Sequence, residues 1–166
     1  MSVSEPNSPP WMPTTMLRAI GLAFLAGTAL APPAQAQLRP LPKTPDESYA
    51  VGQVFAQCSA RIAFVADAAH RSGLENNAKL AEGVSRGWKF AGMVILADGL
   101  APSRQVETEQ TFDALVENKL DQLRAEFEFD PSGATKNSLI EFEKECEPWA
   151  PTQKKLVEVM RRSPAK

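Results

Sequence analysis

The chain holds few of the residues that most often do chemistry in proteins. It has one histidine, His70, and two cysteines, Cys58 and Cys146. A protein zinc site needs several ligands, and no second histidine is present to complete one. The two cysteines are far apart in sequence, which excludes the CxxC motif of thiol oxidoreductases. A haem-attachment motif, a phosphate-binding loop and a nucleophile elbow are also absent. The sequence therefore predicts no catalytic residues, no metal site and no cofactor.

A strong net charge is lacking as well. The chain carries 18 basic and 20 acidic residues, for a formal net charge of −2. Non-specific binding to nucleic acid needs a clear excess of positive charge. The sequence thus predicts no nucleic-acid partner.

Long hydrophobic runs are limited to Ala19–Ala31, which has about two-thirds of the length that a membrane span requires. Arg18 precedes this run, and a proline pair and the small-x-small sequence Ala34–Ala36 follow it. This order is typical of a secretory signal peptide. We expect residues 1–36 to be an N-terminal extension and cleavable signal, with cleavage before Gln37 and export to the periplasm or the outside of the cell.

Two alternatives to cleavage stay open, an uncleaved N-terminal anchor and a cytoplasmic protein. A lipoprotein is excluded because no cysteine stands at the cleavage point. The chain offers three candidate start residues, which are Met1, Met12 and Met16.

An oxidising compartment gives Cys58 and Cys146 one obvious partner, each other. The chain-entropy model assigns a loop of this length a stabilisation of about 4–5 kcal/mol. Free buried thiols are the alternative.

Proline spacing and apolar periodicity divide the mature chain. Prolines make 37–43 an extended leader, and residues 44–166 follow as one helical domain. The first helix is predicted to begin at Thr44, which can act as the N-cap. Pro45 fits the first helical position, and Glu47 completes a capping box with Thr44. Gly73 is predicted to end this helix. Apolar residues at helical spacing predict further helices over about 75–97, 104–129, 135–147 and 152–162.

These segments predict an all-α fold, a small antiparallel bundle of four to five helices joined by one disulfide. Both cysteines fall on inner faces, that of the first helix and that of the fourth. Gly83, Gly87 and Gly92 of the second helix are expected to let another helix approach closely. Trp88 and Trp149 either belong to the core or line a ligand pocket.

Carboxylates at four-residue spacing form a ladder on the third predicted helix. Neighbouring like charges at this spacing repel each other, so a docking face for a basic protein or peptide, or a weak divalent-cation surface, is one interpretation. The other is a solvated face that nearby cations partly neutralise. The ladder consists of Glu109, Asp113, Glu117 and Asp121, and the candidate cations are Lys119, Arg124 and the basic C-terminal residues.

Basic residues surround the apolar positions of the last predicted helix. Such a helix can rest on an anionic membrane or lie back across the acidic third helix. The residues are Lys154, Lys155, Arg161 and Arg162.

Three functions follow from these observations. The leading hypothesis is a small exported binding protein that holds a protein or peptide partner by its acidic face or by a groove between helices. The second is an envelope enzyme that uses His70 with Asp67, one helical turn earlier; the alternative for His70 is a structural position at a helix end. The third is an envelope structural protein that rests on the membrane surface through its last helix.

Overall fold

The computed structural model describes residues 38–162, and all regular structure in that range is helical. The predicted signal peptide and its cleavage point lie outside the described residues. Four α-helices of 15 to 27 residues are followed by a shorter one of 13. They are α1 (Pro45–Arg71), α2 (Glu75–Gly99), α3 (Thr108–Phe129), α4 (Pro131–Glu145) and α5 (Ala150–Arg162), with short 3-10 helices at Pro102–Glu107 and Glu147–Trp149. The all-α prediction is confirmed.

Thr44 and Gly73 act as the sequence predicts at the two ends of α1, whereas the Glu47 carboxylate accepts from the Lys43 N–H at 2.8 Å and not from that of Thr44. The Thr44 hydroxyl accepts a hydrogen bond from the Glu47 backbone N–H at 3.2 Å, and Pro45 occupies the first turn. At the other end Gly73 takes a φ of +71°, a left-handed conformation that favours glycine. The chain therefore turns sharply and begins α2 at Glu75.

Helices α1 and α2 run antiparallel and pack closely along their length. The Ser59 hydroxyl lies 3.2 Å from the Ser85 carbonyl oxygen, and the Ser85 hydroxyl donates to the Ser59 carbonyl oxygen at 3.0 Å. These reciprocal contacts satisfy the buried Ser59 hydroxyl and the half-buried Ser85 hydroxyl while the two backbones stay near each other. The predicted close approach also occurs at Gly92, where a Cβ would lie 2.4 Å from the Phe112 ring of α3.

Aromatic side chains form the main core between α1, α2 and α4. The Trp88 ring centroid lies 5.0 Å from that of Phe55 and 6.0 Å from that of Phe142, both in edge-to-face geometry. Trp149 packs on the other side of Phe55 at 5.7 Å. Both tryptophans thus contribute to the core, which is the first of the two interpretations of these residues.

The predicted disulfide joins Cys58 of α1 to Cys146, the residue that follows α4. Both cysteines are completely buried. The cross-link encloses a sequence separation of 88 residues, so it connects the first helix to the end of the fourth. This prediction is confirmed.

The structure shifts the predicted starts of α3 and α4. Residues 102–107 form a 3-10 helix ahead of α3, where Val106 is 91% exposed and supplies no packing to hold an α-helical turn. Helix α4 starts earlier than predicted because the Asp130 carboxylate accepts from the Gly133 N–H at 3.0 Å and Pro131 fits the first turn. Asp130, five residues before the predicted start near residue 135, is thus the N-cap of α4.

Helix α5 packs against α2, and this corrects one expectation from the sequence. The Gln153 side chain of α5 covers Gly87, where a Cβ would come within 2.6 Å of its amide nitrogen. Leu156 and Val157 pack against the aromatic core. Part of the apolar face of α5 is thus used by the bundle itself, with Val159 and Met160 left exposed, and the helix packs on α2 and not across the acidic α3.

Candidate functional site

Two general observations limit the kinds of site in residues 38–162. No helix there combines the length and apolar character needed to cross a membrane. No group of three or more histidine, cysteine, aspartate or glutamate side chains in that range is arranged to hold a metal ion.

His70 lies at the C-terminal end of α1 between two carboxylates of α2. Its Nε2 lies 2.9 Å from Glu82 and its Nδ1 lies 3.1 Å from Glu75. These hydrogen bonds, Glu82 first and Glu75 second, raise the pKa of His70 above its ordinary 6.5, and His70 in turn lowers the pKa of Glu82. The sequence pointed to Asp67, but the structure places the carboxylates of the next helix at the ring. The arrangement joins α1 to α2 at an exposed helix end.

The acidic ladder of α3 carries its own counterions in the structure. Lys89 of α2 reaches across with its Nζ 2.8 Å from Asp113 and 3.2 Å from Glu109. The hydrogen bond to Asp113, aided by the one to Glu109, raises the pKa of Lys89. Each cation offsets two carboxylates, because Arg124 likewise lies 3.0 Å from Asp121 and 3.6 Å from Glu117.

The ladder is therefore less negative than its sequence suggests. Of the cations considered at the sequence level, Arg124 makes contact with it, whereas Lys119 and the basic C-terminal residues form no ion pair with it in the part of the chain that the structure describes. Lys89 could not be found from sequence, because it lies on another helix.

The basic residues of α5 point away from the bundle. Lys154, Lys155, Arg161 and Arg162 are all exposed. Arg162 contacts Glu158 of the same helix, and the other three form no ion pair within residues 38–162. The α5 surface thus offers positive charge to the surroundings, together with the exposed Val159 and Met160, while Leu156 and Val157 pack against the core.

An uncovered face of α2 is the feature that the sequence analysis missed. Leu80 is 67% exposed, Phe90 48% and Val94 36%. Gly83 lies between them in the helical repeat, and a Cβ there would have nothing within 4 Å. These residues recur at intervals of three, seven and four, so they share one side of the helix. We call Leu80, Gly83, Phe90 and Val94 the α2 outer stripe.

A sequence signal for the α2 outer stripe does exist. The inner face of the helix consists of buried residues such as Trp88, Ala91 and Ile95. Leu80, Phe90 and Val94 are apolar residues left over from that inner face. Single exposed apolar residues are common, but several on one helical side mark an interaction surface more often.

Arg61 is a second feature that periodicity did not reveal. It is 2% exposed on α1, and its guanidinium lies against Glu141 and, at 3.2 Å, Glu145 of α4. Its Nε has no hydrogen-bond partner in the described residues. The group lies one helical turn from Cys58 and fastens the same two helices as the disulfide, which indicates a structural role.

Comparison with known proteins adds no family. No protein-family model matches the chain, and neither the curated proteins nor the solved structures include a significant match.

Proposed function

We propose that this chain is a small exported interaction protein that binds a helical segment of a partner protein through the α2 outer stripe. The observation that carries the proposal is the exposure of Leu80, Phe90 and Val94 on one side of α2, in addition to the buried inner face that packs in the core. Leaving apolar area in water forgoes about 25 cal/mol for every Å² that could be buried. A partner that covers the stripe recovers this free energy.

Export is part of the proposal. The fully buried Cys58–Cys146 disulfide suits an oxidising compartment, and the sequence of residues 1–36 has the order of a cleavable signal. No catalytic role is assigned to His70, since both ring nitrogens are occupied by carboxylates at an exposed helix end.

A basic partner on the acidic ladder of α3 stays an untested prediction. Four carboxylates share Lys89 and Arg124, so a surplus of negative charge remains there. In the part of α3 between Glu109 and Asp121 no large apolar side chain is exposed, because Phe112 and Leu120 face the core. Surface ion pairs alone contribute about 0–1 kcal/mol each, so the α2 outer stripe is the better supported site.

Site-specific photo-cross-linking in the native cells tests the proposed function. A photoreactive amino acid replaces Phe90 in one variant and Phe129 in a matched control. Phe129 is 94% exposed at the end of α3, away from the stripe. We expect one discrete cross-linked product from position 90, lost when Gly83 is changed to Glu, and none from position 129. Equal products from both positions, or a product that survives Gly83→Glu, would contradict the proposal.

A further inference from the structure

We infer that the partner segment at the α2 outer stripe is an amphipathic helix with acidic flanks. This inference rests on the proposed function and names the chemistry of its partner. It follows from the shape of the stripe, from the charges beside it and from the way α5 is already packed.

The shape of the stripe fits a helix. From Leu80 to Val94 it extends over 14 residues of α2, which corresponds to about 21 Å of helix length, and within this span the Gln153 side chain of α5 covers Gly87 at its edge. Gly83 leaves a depression between the large side chains of Leu80 and Phe90, and nothing in residues 38–162 fills it. A partner backbone can approach α2 closely there while its apolar side chains contact Leu80 and Phe90.

The charges beside most of the stripe are positive, and Asp98, one helical turn after Val94, is an exception. Lys79 and Arg86 are exposed on α2, and after the larger effect of His70 both help to lower the pKa of Glu82. The carboxylates of the first half of α2 are engaged, since Glu75 and Glu82 both contact His70. Asp98 is exposed at the far end of the helix.

Helix α5 adds to this positive charge. Gln153 covers Gly87, which shares the repeat of the stripe, so the N-terminal turns of α5 border the stripe directly. Lys154 and Lys155 follow Gln153 and are exposed. An apolar stripe with cations on its border complements an apolar face with glutamate or aspartate beside it.

A protein helix suits this surface better than a membrane. Insertion of α5 into a bilayer would need its apolar face, but Leu156 and Val157 of that face pack against the core, which leaves only Val159 and Met160 as large apolar residues exposed on α5. The uncovered residues of α2 form a narrow line with a depression at Gly83, which matches one helix more closely than a flat lipid surface. Anionic vesicles are therefore the competing outcome in the test.

Fluorescence anisotropy with two synthetic peptides tests the inference. Both peptides are about 18 residues long, with leucine at positions i, i+4, i+7 and i+11. The acidic probe carries glutamate beside the leucines, and the matched probe carries lysine at the same positions. We expect the mature protein to bind the acidic probe at least about tenfold more tightly, with an affinity that falls as salt is added.

Variants locate the binding. Lys79→Glu with Arg86→Glu should reverse the preference between the two probes, and Phe90→Ser should weaken binding of the acidic probe at least about tenfold. Lys136→Glu with Lys144→Glu is the control, because it makes the same change of charge on α4 and should leave the preference unaltered.

Failure of this inference is distinguishable from failure of the proposed function. The acidic helix is contradicted if the two probes bind equally, if the basic probe binds more tightly, or if neither binds. It is also contradicted if the protein co-sediments with phosphatidylglycerol vesicles and Phe90→Ser abolishes this co-sedimentation. If the cross-link at position 90 persists in those cases, the interaction surface stands and its partner has a different chemistry. If the cross-link is absent as well, both are wrong.

Discussion

Arg61 of α1 forms an ion pair with Glu145 of α4, with 3.2 Å between a guanidinium nitrogen and a carboxylate oxygen. Arg61 lies one helical turn after Cys58, and Glu145 directly precedes Cys146, the disulfide partner of Cys58. Glu141 contacts the same guanidinium. The covalent and ionic links between α1 and α4 are therefore adjacent, and together they fix the helix that closes the bundle.

The ion pairs of Arg61 should matter mainly through the charge they compensate. Glu141→Ala with Glu145→Ala leaves a buried guanidinium without a counterion, and we expect the free energy of unfolding to fall by about 3–5 kcal/mol. Arg61→Met replaces the charge with apolar volume and should change stability by no more than about 1 kcal/mol. Adding Arg61→Met to the double variant should restore most of the loss. Urea denaturation of the four proteins measures this, and a triple variant no more stable than the double one would contradict it.

The disulfide should contribute a large share of the stability. Replacing Cys58 and Cys146 by alanine should lower the free energy of unfolding by about 4–5 kcal/mol according to the chain-entropy model. The comparison uses chemical denaturation with and without reductant. Reductant should destabilise the native protein by a similar amount and leave the double variant unchanged, whereas an equal response of both would show that the bond contributes nothing.

Two glycines of α2 should respond in opposite ways to the same substitution. Gly83→Ala places a methyl group in open space and should stabilise the isolated protein by about 1 kcal/mol, because alanine is the better helix former. Gly92→Ala places it 2.4 Å from the Phe112 ring and 2.8 Å from Cβ of Phe55, so this variant should be destabilised by about 1–3 kcal/mol. Thermal unfolding of both variants checks the pair, and a stabilised Gly92→Ala would contradict the packing described.

The pKa of His70 can be measured without overlap from other histidines, since it is the one histidine of the chain. A pH titration of its imidazole proton resonances should yield a pKa above 6.5, and Glu82→Gln should lower it because the strongest hydrogen bond is removed. Asp67→Asn is the matched control and should have a much smaller effect. A larger change in the pKa of His70 in Asp67→Asn than in Glu82→Gln would contradict this description and favour the pairing of His70 with Asp67.

The same group contributes to the way in which stability depends on pH. A raised pKa means that the contribution of His70 is complete below pH 6.5 and is lost as the pH rises through the folded value. The lowered pKa of Glu82 means that its contribution is present above pH 4.5 and is lost as the pH falls through the folded value. The pair therefore stabilises most between these two pH values, and Glu82→Gln should flatten that part of the stability profile.

The fold was largely predictable because local signals agreed with each other. Thr44 and Pro45 mark a helix start that needs no tertiary information, and the periodic apolar residues place Cys58 on an inner face. The starts of α3 and α4 differ from the prediction, the first for a tertiary reason at Val106 and the second for a local reason at Asp130. The exposure of Val106 removes the packing that an α-helical turn needs, and the Asp130 cap turns an apparent loop into the first turn of α4.

The surfaces were less predictable because they depend on which helix lies beside which. The counterion of Glu109 and Asp113 is Lys89, and the partners of His70 are on α2; neither follows from spacing within one helix. The position of α5 decides both what is left uncovered on α2 and where the basic residues point. Charge patterns within a single helix could not reveal this.

The affinity of the purified protein for the partner cross-linked at position 90 tests the central claim most directly. It is measured for the native protein, for Phe90→Ser and for Glu117→Lys with Asp121→Lys. A binding site at the α2 outer stripe predicts that Phe90→Ser weakens binding by about thirtyfold, as for a residue central to an interface, whereas the ladder variant stays within about twofold. Unchanged binding by Phe90→Ser together with loss of binding in the ladder variant would contradict the account and assign the partner to α3.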